Sequence, residues 1–348
     1  IVMEPQTYIA IDIIWNGLPA YAARLIANSE YRFPVIATRP RVPILGMDEI
    51  LPDRIHWIDN DFCGGFSDLG LAVPRLLIVP SWNSRYSKRL EAEVRNAGGR
   101  VVVAFDNVWK GSSRQLLGAL SFRLVWRNRF CAAWVVGAGG RRLARFFGFK
   151  DRDIVDHFYG TDPSIFRATN SIALQNRPKR FIFTGRLIRE KGLLDLLRAW
   201  QLFQPMHPEW SLHIYGSGPL EAEVRDAPVV FHGFKQPADI AFALSEARFL
   251  VLPSHDEHWG LVVCEAAQAG CGLLLSRQVG SVPDLLGPYN GESYPSKAPK
   301  KLAAALTRAA SMSSEDLSKM EAKSRSLGLS FTPAHWSARL DEIVTRYL

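Results

Sequence analysis

Between Phe249 and Ser276 the chain alternates sharply in character. An apolar run, Phe249-Leu250-Val251-Leu252-Pro253, reads as a buried strand. A polar loop follows, His255-Asp256-Glu257-His258-Trp259-Gly260. A helix then continues through Ala266-Ala267 and stops at Gly270, before a second apolar strand from Gly272 to Ser276. The same rhythm runs through the rest of the chain. The first half reads as a helix over Leu18–Ala27, strands at Pro34–Thr38, Leu76–Pro80, Val101–Phe105 and Ala133–Val136, and helices over Ser84–Ala97, Ser113–Phe130 and Gly140–Phe147. The second half has strands opening at Arg180, Ser211, Val229, Phe249 and Gly272. Strand–helix alternation of this kind predicts an α/β fold with doubly wound parallel sheets.

At 348 residues the chain exceeds what a single core usually holds, which predicts two domains. The pattern breaks over Asp162–Pro178, where polar residues and prolines gather, and again near Ser296–Lys301. From there the chain reads as helices over Leu302–Ala310, Ser314–Leu327 and Pro333–Leu348. The expected division is a first domain over 1–165, a second over 166–330 and a terminal helix over 331–348. The four cysteines, Cys63, Cys131, Cys264 and Cys271, have no metal-ligand spacing and suit a reducing cytosol. No run of eighteen apolar residues suggests a spanning helix, and no signal peptide is visible, although the chain begins at Ile1.

In an open parallel sheet ligands sit at the carboxyl ends of strands. The loop ending at Gly260 has that position. Gly260 lets a ligand approach the backbone, and the amides of Gly260, Leu261 and Val262 open a helix, where phosphate is favoured. Glu257 in the loop and Glu265 in the helix are carboxylates that an anion would avoid but that sugar hydroxyls would accept. A nucleotide sugar offers both a pyrophosphate and hydroxyls. A second stretch, Phe181-Ile182-Phe183-Thr184-Gly185-Arg186-Leu187-Ile188-Arg189-Glu190-Lys191-Gly192, places Arg186 and Lys191 after another apolar strand. Arg grips two oxygens at once and Lys acts as a point charge, so the pair suits a diphosphate. Read alone, the two glutamates fit chance spacing with Glu265 an ordinary exposed helix residue, and the Arg186/Lys191 stretch fits a solvated basic turn, better than they fit a site.

Together the two stretches resemble the retaining GT-B glycosyltransferases of family 4, the glycosyl transferases of group 1. The resemblance rests on Gly185-Arg186 with Lys191-Gly192, and on Glu257 and Glu265 in a Glu-x7-Glu pattern followed by Ala266-Ala267 and Gly270. Further matches are Leu212-His213-Ile214-Tyr215-Gly216-Ser217-Gly218-Pro219, Val230-Phe231-His232-Gly233, Pro253-Ser254 and the block Gly160-Thr161-Asp162-Pro163-Ser164-Ile165-Phe166. It covers roughly residues 130 to 290. It implies two Rossmann-like domains facing a cleft, the C-terminal helix crossing back to the first. The first domain would bind a glycan or lipid-linked acceptor. The second would bind a UDP or GDP sugar through Gly185, Arg186, Lys191, Gly233, Glu257, Gly260, Leu261, Val262 and Glu265. Transfer would retain configuration, with Glu257, Arg186, Lys191 and Asp106 around the reaction and no cofactor or essential metal. Bacterial-type surface polysaccharide or glycolipid assembly is the setting implied, in the cytoplasm or peripherally on the inner face of the plasma membrane. Two departures touch the acceptor side. Family members often carry a histidine after the strand matching Val101–Phe105; here Asp106 or Asn107 replaces it, or the acceptor side works differently. The family's glycine-rich first loop is reduced to Asn16-Gly17. The rivals are a sugar-nucleotide epimerase or hydrolase on the same architecture, and a catalytically silent scaffold.

The net charge of +8 is uneven: residues 101–150 hold nine Lys/Arg and one acid, Asp106. Phe122, Trp126, Phe130, Phe146, Phe147 and Phe149 interleave with the cations. A solvated face and an anionic membrane surface compete as readings. Nucleic acid is not expected, since no nucleic-acid-binding motif accompanies the charge. The pairs Asp59-Asn60-Asp61 and Asp151-Arg152-Asp153 read as solvated loop acids rather than a metal site.

Overall fold

The computed structural model describes residues 11–40, 47–167 and 172–348, so positions 168–171 of the expected linker lie outside the described residues. The chain divides into two compact units, Ile1–Gly160 with Pro333–Leu348, and Thr161–Thr332. Each is built on one parallel sheet.

The first sheet has seven strands: β1 (Ile11–Trp15), β2 (Val35–Thr38), β3 (Ile55–Ile58), β4 (Leu76–Val79), β5 (Arg100–Phe105), β6 (Ala132–Val135) and β7 (Ile154–Val155). Their order is β3-β2-β1-β4-β5-β6-β7, every neighbour pairing being parallel. The second has six: β8 (Arg180–Thr184), β9 (Ser211–Tyr215), β10 (Val230–Gly233), β11 (Phe249–Leu252), β12 (Gly272–Ser276) and β13 (Gly291–Tyr294). Their order is β10-β9-β8-β11-β12-β13, again parallel. The central strands are apolar and buried on both faces, as helices on both sides of a sheet require.

Four strands escape the sequence reading, each for a physical reason. In β1 the apolar run is broken by Asp12, which is nevertheless buried, with one carboxylate oxygen lacking a partner among the described residues. Burial pushes its carboxyl pKa up to about 7. Edge strand β3 is half-buried, β7 is two residues long, and edge strand β13 is polar until Tyr294. The helix expected over Ser113–Phe130 ends at Val125, with a 3₁₀ turn over Arg127–Arg129.

Aromatics fill the core of the first unit. Phe122, Phe130, Phe147 and Phe149 are buried, with the Phe122 and Phe147 rings stacked 4.2 Å apart. Four of the six aromatics that interleave with the basic residues are therefore core. The helix Pro333–Tyr347 crosses back to this unit: Trp336 lies 4.9 Å from Trp134, and Asp341 accepts a hydrogen bond from the Tyr31 hydroxyl.

The second unit is pinned by Arg177, whose side chain is fully buried. It donates to the carbonyls of Ile172, Leu244, Ala247 and Ala269 at 2.8–3.2 Å and sits 3.6 Å from the Glu321 carboxylate. One guanidinium thus ties the incoming chain to the ends of two helices. Arg177→Met should leave the buried carbonyls without their donor, Glu321 keeping its pair with Arg325 at 2.9 Å, and cost the second unit about 3 kcal/mol. Urea unfolding checks this; an unchanged midpoint would mean that water replaces the guanidinium without loss.

Candidate active site

The order of the second sheet reverses between β8 and β11: the chain proceeds outward to β9 and β10 on one side and to β12 and β13 on the other. The loops leaving β8 and β11 diverge there, which opens a crevice at the strands' carboxyl ends. Both sequence stretches with candidate donor-binding residues are these two loops.

Several contacts bind the loops together. Gly192, with φ +67°, packs so closely on Pro253 that a Cβ there would collide with the Pro253 carbonyl oxygen. The Glu190 carbonyl accepts from the His255 amide at 2.7 Å. His255 Nε2 lies 2.6 Å from Asp195 Oδ2. As a result Lys191 Nζ makes an ion pair with Glu257 Oε2, both side chains being mostly buried. Ser254 Oγ donates to the same oxygen at 3.4 Å. Arg186, by contrast, is exposed and has no acidic partner among the described residues. Neither Asp195 nor His255 stands out as a site residue in the sequence. The available signal is spacing: Asp195 lies one helical turn after Lys191.

The remaining donor-side candidates follow from backbone geometry. Gly185 N donates to the Tyr215 carbonyl at 3.1 Å, and Gly216 N to the Gly233 carbonyl at 2.8 Å. A Cβ at Gly216 would collide with the Gly185 carbonyl, so Gly185, Gly216 and Gly233 form one continuous backbone shelf. The glycines quoted from Leu212–Pro219 are there to permit this approach. Gly260, with φ +81°, precedes the helix Leu261–Gln268. The amides of Leu261 and Val262 are its first and have no intrahelical acceptor. Glu257 N and O meet Gln278 O and Gly280 N at 3.3 and 3.1 Å, which ties the loop to the segment after β12. Glu265, the fifth residue of that helix, is half-buried and unpartnered among the described residues; burial raises its carboxyl pKa from 4.5 to about 7. The block Gly160–Phe166 is anchored to the same helix. Thr161 Oγ1 lies 3.0 Å from Cys264 Sγ, and Gln268 donates to the Thr161 carbonyl at 3.1 Å.

In the first unit the candidates lie at the carboxyl edge of the first sheet. Gly17, with φ +60°, follows β1, and its amide donates to Thr38 Oγ1 at 2.7 Å. Asp106 and Asn107 follow β5, and Asp106 accepts from the Tyr159 hydroxyl at 3.1 Å. This sheet reverses between β1 and β4, so the loop after β4 lies at the first sheet's own reversal. That loop carries Trp82, packed edge-on against Phe105, Phe122 and Phe147; the sequence reading passes over it.

Residues 166–326 match the family model for glycosyl transferases of group 1. The chain resembles these glycosyltransferases. Among curated relatives, glycogen synthase of Mycobacterium tuberculosis is 34% identical over 134 residues, which is 36% of this chain and 32% of the relative. D-inositol 3-phosphate glycosyltransferase of Corynebacterium kroppenstedtii is 29% identical over 143 residues, 37% of this chain and 32% of the relative. The chain thus spans about a third of the length of these relatives. Solved structures align along almost the whole chain. HepE of Anabaena, in complex with UDP, has a TM-score of 0.75 at 13% identity, covering 97% of this chain and 99% of its own. A glycosyltransferase of Rickettsia africae has a TM-score of 0.75 at 12% identity, covering 98% and 99%. The fold of this glycosyltransferase-like chain is GT-B.

The protonation of Glu265 has a measurable consequence. In the folded chain it holds a proton to about pH 7, whereas the ordinary glutamate value is 4.5. Its contribution to stability is therefore full below pH 4.5 and lost as pH rises through 7. Glu265→Gln should flatten the fall in second-unit stability across that window. Parallel urea-midpoint profiles for the variant and the parent would show that Glu265 titrates normally.

Proposed function

We propose that the protein moves a glycosyl group from a UDP or GDP sugar to a glycan or lipid-linked acceptor, with retention and without an essential metal. The setting proposed is assembly of a bacterial-type surface polysaccharide or glycolipid, at the inner face of an anionic membrane. One observation carries this reading: at the β8/β11 reversal an exposed Arg186, without an acidic partner among the described residues, lies on the same loop as Lys191, itself joined to Glu257. HepE, whose fold this chain shares, was solved with UDP and with UDP-glucose, which supports a uridine donor.

In this reading the second unit holds the donor. Its diphosphate displaces Glu257 from Lys191 and is gripped by Lys191 and Arg186, with the Gly185–Gly216–Gly233 shelf and the Gly260, Leu261 and Val262 amides beside it. The released Glu257 accepts from the donor sugar's hydroxyls, and Glu265 accepts from the ribose hydroxyls. The bond from the anomeric carbon to the phosphate oxygen breaks and its electron pair passes to the diphosphate. Arg186 and Lys191 stabilise that growing charge. The acceptor oxygen bonds to the anomeric carbon, and its proton passes to the departing phosphate oxygen, so no separate base is required. Gly17, Asp106 and Asn107 of the first unit take the acceptor side.

Arg186→Ala and Lys191→Ala should lower kcat more than donor affinity, because the lost contact strengthens as the bond breaks. A loss of about 1.5–3 kcal/mol corresponds to roughly ten- to a few-hundredfold in rate. Steady-state kinetics check this, and parental rates in both variants would remove the two residues from the reaction. Chelation with EDTA should leave turnover intact, whereas abolition with rescue by manganese or magnesium would overturn the metal-free mechanism. Rapid consumption of the donor without acceptor would favour an epimerase or hydrolase.

A further inference from the structure

The helix Ser113–Val125 is apolar on both sides. Ala119 and Phe122 are buried against the first unit's core. On the opposite side Leu116, Leu117, Leu120 and Leu124 are 49%, 70%, 55% and 75% exposed. At 3.6 residues per turn these four leucines fall within an arc of about 100°, centred opposite Phe122. Arg123 borders the arc on one flank and Arg114 on the other. Both are exposed and without an ion pair among the described residues. The surface is a convex leucine ridge with a cation on each side.

The neighbourhood sorts the basic residues by availability. Arg141 and Arg145 pair with Asp156 and Asp151 at 3.1 and 2.6 Å. Arg127 lies over the Phe149 ring at 4.0 Å and donates to the carbonyls of Gly148 and Phe130. Arg114 and Arg123, on the helix itself, are exposed, as are Arg142 and Lys150 further along the segment. From residue 107 to 150 the sequence holds no acid at all. Beside the ridge a cavity of about 490 Å³ opens between this helix and the helix Gly137–Phe146. It is lined by Trp82, Trp126, Leu143 and Phe147, with Arg114 and the acceptor-side candidate Asn107.

We propose that this ridge docks the protein on an anionic lipid bilayer. The inference rests on the reading of a membrane-borne acceptor, and it assigns the contact to the Ser113–Val125 leucines rather than to the aromatics of residues 122–149. Leucines projecting from a helix enter the boundary between headgroups and acyl chains, while flanking arginines reach anionic headgroups. The charge pattern selects this occupant: cations line both flanks of the apolar arc, and the segment from 107 to 150 carries no acid. Asn107 then stands in a cavity that opens beside the docked face, within reach of an acceptor held in the bilayer.

The test is co-sedimentation of the full chain with phosphatidylcholine vesicles, with and without phosphatidylglycerol, at low and high salt. Binding should require the anionic lipid and should weaken as salt screens the attraction. Arg114→Glu with Arg123→Glu should weaken binding by at least roughly fivefold per cation removed. Leu117→Asp with Leu124→Asp should abolish it. Both positions are exposed, so circular dichroism and donor binding should match the parent. Parental binding by the leucine variant, or no binding of the parent to anionic vesicles at low salt, would overturn the proposal. A parent that ignores vesicles but dimerises through these leucines, seen as a monomeric variant by light scattering, would also overturn it and assign the ridge to a second copy. Donor titration on the same samples separates the two readings. Vesicle binding without nucleotide-sugar binding keeps the docking surface and rejects the transferase reading; the reverse rejects the docking surface alone.

Discussion

The close approach of Gly192 to the Pro253 carbonyl is the constraint from which the candidate site follows. No side chain fits between the two loops at that point, and the positive φ of Gly192 is one that larger residues rarely adopt. Once the backbones touch, the residues on either side have little freedom. Lys191 meets Glu257, His255 meets Asp195, and the His255 amide reaches the Glu190 carbonyl. Charged groups from two distant parts of the sequence are therefore fixed before any ligand arrives. A preorganised arrangement loses little on binding, which is what a site for a departing diphosphate needs.

The ion pair between Lys191 and Glu257 also has a physical role of its own. Two mostly buried charges at a strand end would each be costly alone, and each satisfies the other in the empty protein. A donor with a diphosphate and several hydroxyls offers each partner a replacement. In the proposed reading the pair satisfies both charges without ligand and gives way to a molecule carrying both kinds of group. Arg186, exposed and without an acidic partner among the described residues, has no such exchange to make in the proposed reading.

Much of this was legible in the sequence. Buried parallel strands are long apolar runs, and the polar loops after β8 and β11 stand out against them, so Arg186, Lys191, Glu257 and Glu265 could be singled out there, and the family resemblance gave them roles. The direct contact of Lys191 with Glu257 could not, because it depends on which strands are neighbours at the sheet's reversal. Strand β1 was hidden by a buried carboxylate at Asp12, and β13 by the polar residues of a sheet edge. The basic segment misled in an instructive way. Its aromatics interleave with cations in the sequence, but Phe122, Phe130, Phe147 and Phe149 fill the core. The exposed apolar surface comes from leucines on a helix that is apolar on both sides, where no contrast between faces remains to be read. Trp82 was missed because its importance lies in the order of β1 and β4, not in any local pattern.

The most direct measurement is calorimetric titration of the full chain with UDP- and GDP-sugars at neutral pH, in two buffers of different ionisation enthalpy. In the proposed reading, hydroxyls placed against Glu265, whose carboxyl pKa burial raises to about 7, change its share of protons. The expected result is one donor bound per chain, with a proton exchange that Glu265→Gln removes. No binding of either sugar nucleotide, or binding untouched by both Glu265→Gln and Lys191→Ala, would contradict a donor site at the meeting of the two loops.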